Sequence, residues 1–270
     1  GIIINATIQL LPIRSSLISQ KTIKADCIEA ACEAFESNSD ATYSVAWIDC
    51  LSKERSLGRS VIMLGEHADQ GELEIDIRQR VSVPVFTPSA LLNRLTMKAF
   101  NAAYWHKSKH NLNQTVSLMP YFYPLDAIGE WNKLYGKKGF LQFQCVLPKN
   151  DGVASMRKLL IEFSSSGEGS FLAVLKQFGN ANQNLLSFPT EGYTLALDFK
   201  ISESAIKTVS KLEDMVVDMG GRIYLTKDAL MKEKTFKATY PNWEKFEAVR
   251  AKYGAIGKFK SMQSQRLGLA

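Results

Sequence analysis

With 270 residues, 46% of them hydrophobic and 22% charged, the chain can bury a substantial core and reads as globular rather than disordered or fibrous. It contains no apolar run long enough for a membrane-crossing helix and no basic-then-apolar secretory leader, so a cytoplasmic or membrane-peripheral location is expected. The net charge of +6 is uneven: residues 222–270 hold 11 Lys/Arg against 4 Asp/Glu, and the remainder is close to neutral.

In chain order, "GIIINATIQLLPI" predicts a strand over residues 2–13 that stops at Pro12. It starts abruptly and without Met, as a fragment of a longer protein would. "TIKADCIEAACEAFESN" has helical periodicity, with Ile23, Cys27, Ala30, Ala31, Ala34 and Phe35 on one stripe. "ATYSVAWIDC" and "GRSVIMLGEH" read as strands, joined by the polar, Gly-ended "LSKERSLG". A second helix is predicted over "TPSALLNRLTMKAFNAAYWHKSK", capped by Thr87 or Ser89 with Pro88 near its start.

Further strands follow at "NQTVSLMP", "GFLQFQCVLP", "GSFLAVLKQFG" and "EGYTLALDFK", with an amphipathic helix over 151–163. "SESAIKTVSKLEDMVVDMG" is a helix stopped by Gly220–Gly221, and "YPNWEKFEAVRAKYG" is the last confident one. Strands that run in groups without intervening helices predict an α+β fold, a mostly antiparallel sheet with helices packed on it. The four cysteines have no C-x-x-C spacing and sit in apolar patterns, as small buried hydrophobes in a reducing compartment do.

The strand "GFLQFQCVLP" poses a question. Alternation puts Leu141, Phe143 and Cys145 on one face and Gln142, Gln144 and Val146 on the other. The amide face either meets water, which composition favours, or lines a cavity that orients a polar ligand. Other candidates for chemistry are Trp47 beside Asp49, Lys176 interrupting an apolar strand with Phe178 on its face, and Lys227 after the short strand that follows the double Gly. Taken singly, each reads as structural, since a strand lysine usually carries its amine outward to water. No Walker loop, G-x-G-x-x-G, H-E-x-x-H or G-x-S-x-G motif is present. His106 and His110 have i, i+4 spacing, but flanking lysines and the lack of an acidic or Cys neighbour argue against a metal. The basic C-terminal stretch suits an anionic partner or a solvated helical face.

Taken together, "YSVAWIDC…GRS…GEHA", "YFYPLDAIGEWNKLYGKKGFLQFQCVLP", "FLAVLKQFGNANQNLLSFPTEGYTLALDF", "GGRIYLTKDA" and "YPNWEKFEAVRAKYGAIGKFKSMQSQRLGL" resemble the decaprenylphosphoryl-β-D-ribose 2-oxidase family. These are FAD-linked oxidases of the vanillyl-alcohol-oxidase superfamily. The resemblance runs in order along nearly the whole chain. It implies that residues 1–13 are the last strand of a truncated FAD-binding domain, 14–221 a substrate (cap) domain, and 222–270 a segment returning to the FAD-binding domain. It leaves out the glycine-rich region that holds the FAD pyrophosphate.

The resemblance also implies the site. Gln142, Gln144, Trp47, Lys176, Phe178 and Thr194 would line the substrate pocket, with Lys176 facing a substrate phosphate. Lys227 would approach the flavin as both a catalytic and a cofactor-binding residue, because a cation at the ring's electron-rich edge favours the reduced form. The implied reaction is oxidation of a secondary alcohol on a sugar or polyol, with hydride passing to flavin N5. Implied partners are that sugar, carried on a lipid phosphate, a partner reductase, and a membrane surface contacted peripherally; nucleic acid is not expected. Thr194 and Ala196 stand where mycobacterial members carry Asn and Cys, which removes a thiol used by covalent inhibitors and leaves the sugar open. Rival readings are a lactone- or hydroxyacid-type flavin oxidase and a non-enzymatic basic module for nucleic acid, the latter to be recognised by salt-dependent binding.

Without the pyrophosphate-binding region the isolated 270-residue chain is expected to purify colourless, to bind FAD weakly and to be inactive alone. A flavin absorption band at one equivalent per chain would contradict this.

Overall fold

The computed structural model describes residues 2–77, 81–88, 93–170 and 172–269. Residues 2–13 form no strand: they run exposed and unpaired, with Ile2, Ile3, Ile4, Ile8, Leu10 and Leu11 open to solvent. The predicted strand has the composition for pairing, but among the described residues it has no neighbour to ladder with.

Pairing begins at β1 (Leu17–Ala25), which includes Thr22–Ala25 of the predicted first helix. Strand β1 lies between two partners as far as Thr22, and the ladder to β3 carries it on through Ala25, which outweighs the helical spacing of Ile23. The first helix, α1 (Ile28–Glu36), is correspondingly shorter and buries Ile28, Ala31, Cys32 and Phe35. Strands β2 (Tyr43–Ile48) and β3 (Ser60–His67) follow as expected. After the two-residue β4 (Val81–Ser82) comes α2 (Arg94–Lys107). Its cap is Asn93, whose side chain accepts from the Leu95 and Thr96 amides in a reciprocal box with Thr96. Thr87 instead donates its amide to the Lys133 carbonyl, and Ser89 lies outside the described residues.

The predicted strand at 113–120 divides into β5 (Leu112–Ser117) and a single turn, α3 (Leu118–Phe122). Then come β6 (Ile128–Gly129), β7 (Phe140–Pro148), α4 (Gly152–Ser165), β8 (Ala173–Phe178), β9 (Gly192–Lys200) and α5 (Glu203–Asp218). Helix α5 stops at Gly220, whose positive φ of 66° suits a glycine. The remainder is β10 (Arg222–Ile223), α6 (Glu233–Thr239), α7 (Trp243–Lys252) and α8 (Met262–Arg266). Among the described residues no helix is long and apolar enough to cross a membrane.

Eight strands form one sheet in the order β10-β7-β9-β8-β2-β3-β1-β5, and every pairing in it is antiparallel; β4 and β6 form a separate parallel pair. The α+β expectation therefore holds. One face carries the main core, where Phe143, Cys145, Leu175, Leu195, Leu197 and Phe199 meet α1, α4 and α5. Burial pushes the Cys145 thiol up to about 12, as an inert apolar filler requires. On the other face α2 covers β2 and β3, where Trp47, Val61 and Trp105 form a second, smaller cluster. Beyond α2, on the same face, β8, β9 and β7 border a cavity that is open on one side.

Glycine 192 starts β9 at φ 154°, pressed against β7 so closely that a Cβ would lie 1.9 Å from the Leu147 carbonyl oxygen. Gly192→Ala is therefore expected to cost roughly 3 kcal/mol, because backbone cannot yield as a side chain does. Gly220→Ala, with nothing within 4 Å of its Cβ, should cost only about 1 kcal/mol for the left-handed backbone. Thermal unfolding of the two variants side by side checks the ranking.

Candidate functional site

The site on this face is built by two registers. Strand β7 pairs with β9 so that Gln142 lies opposite Asp198, Gln144 opposite Ala196 and Val146 opposite Thr194. Strand β8 pairs with β9 so that Val174 lies opposite Ala196 and Lys176 opposite Thr194. All these side chains share one face, since partners across a ladder point the same way. They enclose a cavity of about 180 Å³, open on one side, lined by Gln142, Gln144, Leu172, Val174, Lys176, Thr194, Ala196, Asp198 and Lys227, with Phe143 at its floor. The volume falls below the 300–1,000 Å³ or so of a complete ligand site.

The amides line this open cavity and are half-buried. Each has a defined partner. Gln144 Nε2 donates to Thr194 Oγ1 at 3.1 Å, and Thr194 is only 1% exposed. Gln142 Nε2 donates to Asp198 Oδ1 at 3.0 Å, while its Oε1 accepts from Lys227 Nζ at 2.9 Å. Lys227 arrives from the turn after β10, whose backbone continues the sheet edge through Tyr224 N donating to the Gln144 carbonyl. That turn is tied from behind. Asp228 Oδ1 accepts from the Leu230 and Met231 amides, and Asp228 Oδ2 meets Arg266 Nη2 of α8 at 2.8 Å.

Two expected pocket residues are not among the cavity's lining. Trp47 shares the sheet face but lies under α2, 7% exposed, with its ring 4.6 Å from Tyr104. Its neighbour Asp49 secures that cover: Oδ1 accepts from Asn101 Nδ2 at 2.7 Å, and Oδ2 pairs with Arg59 at 2.8 Å. Phe178 stands at the end of β8 in an adjoining aromatic group, edge-on to Phe188, which stacks on Tyr224 at 4.5 Å. Lys176 is exposed on the cavity rim. His110 accepts the Lys24 amide at its Nδ1, and among the described residues no His, Cys, Asp and Glu cluster could hold a metal ion.

Sequence reasoning passed over Asp198. It lies two residues from Ala196 and four from Thr194, so strand periodicity alone placed it on their face. Burial raises its carboxyl above the usual aspartate range, against the opposing pull of Gln142, Tyr135 and Lys227. Burial likewise raises Tyr135, whose hydroxyl donates to Asp198 Oδ2 at 3.3 Å.

Along its whole length the chain is 34% identical to a decaprenylphosphoryl-beta-D-ribose oxidase of Mycolicibacterium smegmatis (strain ATCC 700084 / mc(2)155). It spans 61% of that relative's length. It is also 23% identical, over all of its own length and 77% of the other's, to an uncharacterized protein in the mprA 5' region of Streptomyces coelicolor. In fold it resembles a chitooligosaccharide oxidase, with a TM-score of 0.51 and 12% identity over 88% of this chain and 53% of that one. No family model matches the chain.

Behind β7, on the core side, Glu213 of α5 is 4% exposed and its carboxyl is pushed up to about 8, by burial first and then by Asp228. Asp214 adds to the rise, while Arg266 and Lys232 oppose it. Unfolded, this glutamate titrates near 4.5. Between the two values the folded chain keeps a proton that the unfolded chain has lost. Its contribution to stability is therefore full below about pH 4.5, shrinks as pH rises, and is gone above about pH 8. Glu213→Gln should remove this dependence, so that urea unfolding at pH 5 and pH 8 differs between wild type and variant by on the order of 3 kcal/mol. An unchanged pH dependence in the variant would contradict it.

Proposed function

We propose that this chain supplies the substrate-binding part of an FAD-dependent oxidoreductase that oxidises a secondary alcohol of a sugar or polyol. The observation that carries this reading is the Lys227–Gln142–Asp198 chain of hydrogen bonds in a small cavity lacking one wall. A polyol needs groups that both donate and accept without imposing charge, and Gln142, Gln144 and Thr194 are of that kind. Lys176 on the rim suits a phosphate attached to the sugar, as the name of the mycobacterial relative describes for its own substrate.

The residues present suit the reacting end of FAD and not its phosphates. Lys227 is a half-buried ammonium at the cavity, and among the described residues its hydrogen bond is to the Gln142 carbonyl oxygen, which leaves N–H donors for an electron-rich ring. No glycine-rich phosphate loop occurs in the sequence. Bound FAD supplies the hydride acceptor. What this chain contributes is orientation: the amides hold the hydroxyls, the sheet excludes water from one side, and Lys227 places fixed positive charge where negative charge develops.

Against the basic-module alternative, four of the eleven C-terminal cations are engaged within the fold. Arg222 donates to the Thr239 and Ser187 carbonyls, Lys237 pairs with Glu233, Arg250 with Glu247, and Arg266 with Asp228. These four serve the fold, while Lys232, Lys234, Lys245, Lys252, Lys258 and Lys260 are exposed, so salt-dependent binding to nucleic acid is the measurement that separates the two readings.

In the complete enzyme, Lys227→Ala is expected to slow flavin reduction roughly 10²–10³-fold with little change in substrate affinity. Lys227→Arg should recover only part of the rate, because the guanidinium has a different shape and reach. Stopped-flow bleaching of the flavin measures both, and an alanine variant with the normal rate would overturn the assignment.

A further inference from the structure

We propose that Asp198 is a positioning residue that fixes Lys227 through the amide of Gln142. A glutamine amide has two ends of opposite character, and here both are committed. The ionised carboxylate of Asp198 can only accept, so it demands Nε2; the ammonium of Lys227 can only donate, so it demands Oε1. The two charges agree on one orientation of Gln142, and neither would tolerate the other.

Asp198 can impose that orientation because it is itself immobile. It is 3% exposed, stands directly across the ladder from Gln142, and gives its own amide to Ser170 Oγ at 2.9 Å. Its second oxygen accepts from Tyr135, whose ring is stacked on Phe140 with centroids 4.7 Å apart. Lys227, by contrast, ends a long flexible stem from a turn, and a lysine ammonium alone has no preferred direction. The carboxylate therefore directs the cation at one remove without neutralising it by direct contact. The sequence offers this only as an acidic residue in the strand "GYTLALDFK", and the role needs no contact between Asp198 and substrate.

The test has two arms, and only the second rests on the functional reading above. In the first, the 270-residue chain is treated with limiting acetic anhydride, and acetylation of Lys227 is followed by peptide mass spectrometry against exposed Lys53 as internal reference. Asp198→Asn keeps the shape but removes the charge that orients the amide. It should raise Lys227 labelling about fivefold, the equivalent of one lost hydrogen bond. Gln142→Leu cuts the same chain at its middle and should raise it comparably. Unchanged labelling in both variants overturns the proposal whatever the enzyme does.

In the second arm, the complete oxidase carrying Asp198→Asn should lose about 10- to 100-fold in kcat with little change in KM, as a misaligned group does. In a Lys227→Ala background the same substitution should cost nothing further, whereas a merely structural role would cost the same in both backgrounds. Additive losses overturn the proposal. If labelling rises as expected but the complete protein oxidises no sugar or polyol, the positioning role is supported and the functional reading fails instead.

Discussion

Strand β9 lies between β7 and β8, and its register against both decides where every side chain of the cavity can stand. On one face Leu195, Leu197 and Phe199 enter the core, with Phe199 edge-on to Phe163 of α4 at 5.3 Å. On the other face Thr194, Ala196 and Asp198 meet the cavity. A slip of one residue would exchange the two sets, exposing three large apolar side chains and burying a carboxylate among helices. The apolar loss alone is roughly 5–9 kcal/mol, comparable with the whole stability of a domain. The hydrophobic core thus specifies the polar site without touching it.

The buried carboxylates show how differently one chain handles the cost of removing charge from water. Asp49 and Asp228 are met by a guanidinium and further N–H donors, and each fastens an element: Asp49 the cover helix α2, Asp228 the turn that presents Lys227. Among the described residues the Asp198 carboxyl meets a neutral amide and a phenol and no cation directly, and burial raises its pKa. Glu213 goes further, up to about 8. Direct ion pairs hold the frame, while the acids with raised affinity for protons lie on either side of β7 next to the cavity.

Much of this was legible from residues alone. Strong alternation in "GFLQFQCVLP" and "EGYTLALDFK" located β7 and β9, and the double glycine marked the end of α5. The likeness to the mycobacterial oxidase could be read from ordered segments even though no single motif is distinctive. Other features were hidden for physical reasons. The helical spacing of Ile23 and Cys27 is genuine, but the ladder of β1 against β3, which runs through Ala25, overrides it at Ile23. Trp47 belongs to the correct sheet face, yet only the path of α2 reveals that the indole is covered. Asp198 had the correct period from the start. Its importance depends on facing Gln142 across a ladder, and a single strand read in isolation cannot supply that information. The apolar run at 2–13 has strand composition, but a strand exists only with a partner.

The fastening of α2 by Asp49, Arg59 and Asn101 has a mechanical consequence. One flank of the sheet is stiff, because a buried ion pair and a hydrogen bond lock the helix over β2 and β3. The opposite flank is narrower, for β10 adds only two paired residues to β7, and it is held by a second device of the same kind, Asp228 with Arg266 and the Leu230 and Met231 amides. The cavity between the two flanks is thus pinned from both sides by buried carboxylates that never enter it.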